Sequence, residues 1–302
     1  MNGRLAYAGH RLRLGLPEGE AGLADFLDAY FRPYFDVEED AGGPAFARLD
    51  VHVGPPPPAA PDFAGGATVD VDRRGGFLRC RGSVVEQAGL RWVRLEPSGA
   101  VVRADAAARA VDVWGASGAA LRVPVLRLVE DLTLDEVQRA GAVVLHASAV
   151  VVDGRAVLAV GNKRAGKTTT LCRLLAAFDA DKMANDNVCL FRRAGAVVAR
   201  GWPSFFKVAA ATVASHLELA GDFPPAERAR LGSDAALWSV YEKVVLYPAQ
   251  GAARFGARLR PEAPLGCIVL PRFSEQRAPA LADVPAAEAV EELQGCLQGI
   301  HN

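Results

Sequence analysis

The run Ala156-Val157-Leu158-Ala159-Val160, followed by Gly161-Asn162-Lys163-Arg164-Ala165-Gly166-Lys167-Thr168, decides how this chain is read. The second part fits G-x-x-x-x-G-K-[ST], the phosphate-binding loop. The apolar run ahead of it suits a buried strand, and behind it Leu171, Leu174, Leu175 and Phe178 recur at helical spacing. Strand, glycine loop and helix in that order build an anion cradle. The glycines let backbone N–H groups close around phosphate oxygens, and the helix adds the positive end of its dipole. The expected nucleotide-binding set is Gly161, Asn162, Lys163, Arg164, Ala165, Gly166, Lys167, Thr168 and the adjoining Thr169. In such a loop Lys167 reaches the β- and γ-phosphates of ATP, and the Thr168 hydroxyl ligates Mg²⁺.

The remaining composition narrows the classes. The chain has 302 residues, room for two modest domains, and is 51% hydrophobic and 23% charged, as globular proteins are. A net charge of −1 gives no electrostatic footprint for nucleic acid or a membrane surface. No apolar run reaches the length of a membrane span. The five cysteines, Cys80, Cys172, Cys189, Cys267 and Cys296, are far apart and make no C-x-x-C, so free thiols in a reducing, cytoplasmic setting are expected. Oligomeric state is not legible.

Residues 1–125 read as a β-rich first domain. A helix is expected over Ala21 to Phe35, and Leu49 to Val53 alternates like a half-buried strand. The four prolines within Gly54 to Ala60 exclude helix and central strand, leaving a loop. Thr68 to Val71, Phe77 to Arg81, Arg91 to Leu95, Val101 to Ala104 and Val111 to Trp114 read as an antiparallel meander, with Trp92 and Trp114 in its core. Residues 126–302 read as the α/β phosphate-loop domain. Pro124 marks the expected joint, and Leu126 to Ala140 a helix that restarts at a Thr133–Glu136 capping box. Asp153-Gly154 between Val143 to Val152 and Ala156 to Val160 is a hairpin signal, so the loop strand is expected antiparallel to its predecessor. Residues 179–187 read as a connecting loop into Val188 to Phe191, and Arg193-Ala194-Gly195 turns the chain into Ala196 to Ala199. Helices are expected at Lys207 to Leu219, Pro225 to Leu231 and Pro285 to Leu297, and strands at Val244 to Tyr247 and Cys267 to Leu270.

A magnesium-nucleotide site needs an acid near the loop. Asp186, at the mouth of the Val188 strand, is the candidate; Asp179 and Asp181 read as solvated loop residues. His146 stands in Val143-Val144-Leu145-His146-Ala147-Ser148, and the hairpin ties that strand to the loop strand. The candidate catalytic residues are Asp186, His146 and Lys167, and the candidate metal ligands Thr168 and Asp186.

The Leu-His-Ala-Ser strand, the Asp-Gly turn, the loop strand and the Ala-Asn-Asp-Asn-Val start resemble the HPr serine kinase/phosphorylase family, over about residues 126 to 200. The resemblance is closer to HPr-kinase-like proteins of biosynthetic gene clusters than to the HPr enzyme. It implies an HPr kinase/phosphoenolpyruvate carboxykinase-like fold, a P-loop on a mixed sheet, and ATP-Mg²⁺ phosphorylation of a hydroxyl. It matches Gly161 to Thr168 to the family's loop, His146 to its strand histidine, and Asn185 and Asp186 to its pair of adjacent acids. Asn185 stands where the HPr enzyme has the Asp assigned as general base, and the C-terminal loop signature for HPr is not recognisable.

The functional expectation is a kinase acting on a hydroxyl of a peptide or small metabolite. Asn185, Lys207 and Lys243 are the candidate acceptor residues, Lys243 ahead of Lys207 because it precedes an apolar strand. The rival readings are a nucleotide-binding regulator without phosphotransfer, for which Asn185 speaks, and a nucleotide-dependent peptide-binding module. Neither nucleic acid nor membrane is an expected partner.

Overall fold

The computed structural model describes residues 2–39, 43–70, 81–96, 98–209, 212, 213, 216, 219, 243–272 and 280–298. The expected Pro225 to Leu231 helix, nearly all of the Phe77 to Arg81 strand and Cys80 lie outside them. The chain divides into two compact units, Met1–Arg139 and Ala140–Asn302.

The first unit contains β1 (Asn2–Tyr7), β2 (His10–Gly15), α1 (Ala21–Phe31), β3 (Asp36–Glu39), β4 (Ala47–Val53), β5 (Ala67–Asp70), β6 (Arg81–Gln87), β7 (Leu90–Leu95), β8 (Val101–Asp105), β9 (Ala110–Gly115) and α2 (Gly118–Arg139). The strands form one sheet in the order β3-β1-β2-β4-β9-β8-β7-β6-β5. From β5 to β9 the expected meander is present, with Trp92 and Trp114 buried as expected. It is not the whole sheet, because β4 runs parallel to both β2 and β9. Alternation marks a strand but not its pairing direction, and the chain reaches β4 by way of α1.

Helix α2 corrects two expectations. It begins at Gly118, and Pro124 lies inside it, so the joint falls after Arg139 rather than at residue 125. Leu121, Val125, Val129 and Val137 bury one continuous stripe, which carries the helix past the proline. The helix does not restart at Thr133, which is buried mid-helix and cannot cap a free end. On the same helix Glu130 accepts hydrogen bonds from Tyr30 Oη and Arg127 Nη1, both at 2.8 Å, tying α1 to α2; burial still raises the pKa of its carboxyl.

The second unit contains β10 (Val143–Val152), β11 (Arg155–Val160), α3 (Lys167–Ala177), β12 (Asp181–Ala184), β13 (Asn187–Arg193), β14 (Ala196–Gly201), β15 (Phe206–Ala209), β16 (Lys243–Leu246), α4 (Pro248–Ala253), β17 (Glu262–Val269) and α5 (Ala286–Gln294). Asp153 and Gly154 both have positive φ, as do Ala194 and Gly195, so two-residue turns close both expected hairpins. As expected, β11 pairs antiparallel with β10; on its other edge it pairs parallel with β17. Strand β17 passes on to β14, β14 to β13 and β13 back to β10, closing a ring of mixed direction. Leu145, Ala147, Ala149 and Val151 of β10 meet Ala156, Leu158 and Val160 of β11 in one core. Val150 joins a second core with Leu171, Cys172 and Leu175 of α3. Burial on both faces is why these strands read as continuous apolar runs.

Two further expectations are overturned. Asp181–Ala184 is a strand, not part of a loop, because it continues the edge of β10 that β13 occupies. Lys207 lies on a strand rather than a helix: Phe206 and Val208 are buried and alternate with half-exposed Lys207 and Ala209, the period of a strand.

Strand β12 also carries Lys182, fully buried with its Nζ 5.4 Å from the centre of the Phe206 ring. Burial pushes its pKa down from 10.5 to about 8. Between those values the unfolded chain binds more protons than the folded one, so stability rises with pH across that window. The penalty is fully present below pH 8 and is on the order of 3 kcal/mol. Lys182→Met should therefore raise Tm at pH 7 and lose the wild type's gain between pH 7 and 9.5. Thermal melts at both pH values measure this; an unchanged difference would contradict the buried amine.

Candidate active site

The loop Gly161 to Thr168 leaves the end of β11 and enters α3. Arg164 and Gly166 both have left-handed backbone, with φ of 73° and 95°. Residues alternating through that region turn their N–H groups into a concavity that suits an anion. Glycine adopts it without strain, and Arg164 holds it at a cost of about 1–2 kcal/mol. A Cβ on Gly161 would sit 2.8 Å from Ala165 Cβ, so the loop's closure requires glycine there. Gly166 caps α3 with no side-chain hydrogen bond, so its first backbone N–H groups are not satisfied by the N-cap residue.

Lys167 is buried, not exposed at the helix start as its position suggests. Its Nζ donates to the carbonyls of Gly161 at 2.8 Å and Asn162 at 2.9 Å. The ammonium thus spans the loop it belongs to. Thr168 and Thr169 are half-buried, and Thr169 Oγ1 lies 3.1 Å from Thr212 Oγ1.

The sheet brings the acid and the histidine to the root of this loop. Ala147 pairs with Val160, the residue before Gly161, on one edge of β10. On the other edge the Ala147 N–H donates to the Asp186 carbonyl at 3.0 Å, and His146 stands opposite Asn187. Strands lie about 5 Å apart, so Asp186 is two strand spacings from the loop root. His146 Nδ1 is 3.3 Å from Asp186 Oδ1, with the side chains 26% and 48% exposed. The pair is open to a substrate, and Asp186 has the oxygen chemistry that suits Mg²⁺. Asp181, by contrast, is occupied by Arg258 at 3.1 Å, a structural pair.

Asn185 is buried. Its carbonyl accepts from Ser148 Oγ at 2.8 Å, and its Nδ2 donates to the Phe205 carbonyl at 3.4 Å. Lys207 and Lys243 lie apart from this corner in pairing terms: they belong to the two-stranded sheet β15–β16, Lys207 opposite Val245 and Lys243 opposite Ala209. Among the described residues no cluster of three or more His, Cys, Asp and Glu side chains forms a protein-only metal site. A cation here would rest on few side chains, as Mg²⁺ bound with phosphates does.

Sequence reasoning missed the C-terminal segment. His146 N–H donates to the Cys296 carbonyl at 2.9 Å and Gln298 N–H to the Val144 carbonyl at 2.8 Å. The segment thus takes the place beside β10 that β11 leaves on turning into the loop. Burial raises the pKa of the Cys296 thiol, and nearby Lys167 opposes the rise. Nothing in the sequence around Cys296 signals this pairing. Cys172, Cys189, Cys267 and Cys296 are free thiols. No described helix is long and apolar enough to cross a membrane. The chain matches no protein-family model and no curated protein sequence.

Proposed function

We propose that this chain is a P-loop phosphotransferase, and within that class an HPr-kinase-like enzyme that moves the γ-phosphoryl group of ATP to a hydroxyl. The observation that carries the reading is the joining of three parts at the middle of β10, around His146 and Ala147: the loop root at Val160, His146 itself and Asp186. The antiparallel hairpin that joins them supports the narrower family reading, with the P-loop strand in a mixed sheet.

Phosphoryl transfer has a loose transition state, so placement and charge neutralisation supply most of the catalysis. Lys167 supplies positive charge at the loop, and the left-handed turns at Arg164 and Gly166 aim backbone donors at phosphate oxygens. Thr168 and Asp186 offer oxygens that would hold Mg²⁺, whose charge offsets that of the phosphates when bound. Asp186, oriented by His146, accepts the proton of the acceptor hydroxyl, while Asn185 cannot, because an amide takes up no proton near neutral pH.

The test is transfer of label from [γ-³²P]ATP to a panel of hydroxyl compounds and Ser/Thr peptides with Mg²⁺. Label on an acceptor is expected, absent when Mg²⁺ is chelated. Nucleotide binding with no labelled acceptor and no ADP release would favour the regulator reading, for which the amide at Asn185 speaks.

A further inference from the structure

Strand β11 pairs with β10 only from Ala147 to Val152, because the chain leaves the sheet after Val160 to form the loop. On that edge the backbone groups of Val144 and His146 lie beyond the reach of β11. Backbone N–H and C=O groups in a folded interior are paired with few exceptions, so another segment has to close the edge. The segment after α5 does so. The Cys296 carbonyl accepts from His146 N–H at 2.9 Å, Gln298 N–H donates to the Val144 carbonyl at 2.8 Å, and Leu297 stands opposite Leu145.

His146 is thereby held from both sides. On its other edge it stands opposite Asn187, and the next residue, Ala147, donates to the Asp186 carbonyl at 3.0 Å. Its Nδ1 meets Asp186 Oδ1 at 3.3 Å, and the acid rides on a different chain segment from the histidine. A side chain on a strand projects from its own backbone, so a small slip of β10 at His146 changes the distance to that carboxylate. The segment that prevents the slip has its own anchors. Cys296 is buried in one core with Leu145 and Ala147, Leu293 of α5 packs on the same core, and Arg272 ties down α5 through Glu288 and Glu292. We propose that Cys296, Leu297 and Gln298 form a strap that seats His146 against Asp186, which makes Cys296 and Gln298 positioning residues of the site through their backbone groups. The kinetic consequence rests on the phosphotransferase reading, whereas the seating of His146 is measured without turnover.

Gln298→Pro removes the N–H that bonds to Val144, and Gln298→Ala keeps it. With Mg²⁺ and [γ-³²P]ATP, Gln298→Pro should lower kcat about fivefold or more and leave KM for ATP within about twofold, since misplacing a catalytic group acts on the chemical step. Gln298→Ala should match wild type. Because the strap acts through the His146 ring, Gln298→Pro placed on His146→Ala should cost nothing further. Equal losses in the two backgrounds would reduce the strap to a structural part and overturn the proposal, as would an unchanged kcat in Gln298→Pro. The measurement without turnover is NMR of histidine-labelled protein, with the His146 ring signal identified by its loss in His146→Ala. Gln298→Pro should shift that signal, Gln298→Ala should not, and the His10 and His52 signals should stay in place. Leu297→Gly, at an exposed residue, loosens the segment without removing either hydrogen bond and serves if Gln298→Pro does not fold. It should move the same signal in smaller measure. A His146 signal unmoved in the folded variants would overturn the strap. Failure of wild type to label any acceptor, with the ring shift still present, would sink the kinase reading and keep the strap.

Discussion

Lys167→Ala is expected to lower ATP turnover by at least about a hundredfold, as loss of a positioned charge in a phosphate clamp does. The variant must be judged for folding as well as activity. The buried Lys167 ammonium holds two loop carbonyls at 2.8 and 2.9 Å, and losing such charged hydrogen bonds costs about 1.5–3 kcal/mol each when their partners are left unpaired. Lys167→Met keeps the aliphatic stem and separates the two effects. Both variants should lose nucleotide affinity in calorimetry while far-UV dichroism is retained, and Lys167→Ala should show the larger fall in Tm. Turnover near the wild-type rate in a folded Lys167→Met protein would remove the loop from the chemistry.

Asp186→Asn is expected to cost at least about a hundredfold in phosphotransfer, the lower end for a positioned acid–base group. Asp181→Asn, five residues earlier in the chain but paired with Arg258, should change activity little. His146→Ala should fall between the two, because His146 meets Asp186 at 3.3 Å and orients it without replacing it. Asn185→Ala should weaken acceptor use and leave nucleotide affinity largely intact, since its side chain bonds to the Phe205 carbonyl rather than the loop. Steady-state turnover beside ATP binding for the four variants makes the comparison. Equal activity in Asp186→Asn and wild type would leave a nucleotide-dependent binding protein as the better account.

Much of this corner is legible along the chain. Gly161 to Thr168 announces itself because the loop's chemistry needs glycine at two backbone positions and a lysine at one, all within eight residues. The antiparallel setting of β11 follows from Asp153-Gly154, since a two-residue turn admits no other pairing. Given that hairpin, His146 has to lie near the loop root. What local reasoning could not see was how early the second helix of the first unit begins and that it runs unbroken from Gly118 to Arg139. Pro124 signals a break in isolation, but the buried stripe from Leu121 to Val137 outweighs one lost hydrogen bond.

The sequence by itself determined the loop, its flanking strand and helix, the hairpins and the acid worth testing, because each is encoded by residues within a few positions of one another. Only the tertiary structure decided the parallel placement of β4 and the continuation of β12 into β13 along β10. The same holds for the burial of Lys167 and Lys182, the seating of Cys296 beside His146 and the clamping of 202–205 across Asn185 and Asn187. These join residues far apart in the chain. Their pairing depends on which edges and apolar faces remain open once the local elements have formed, and no periodicity or motif records that choice.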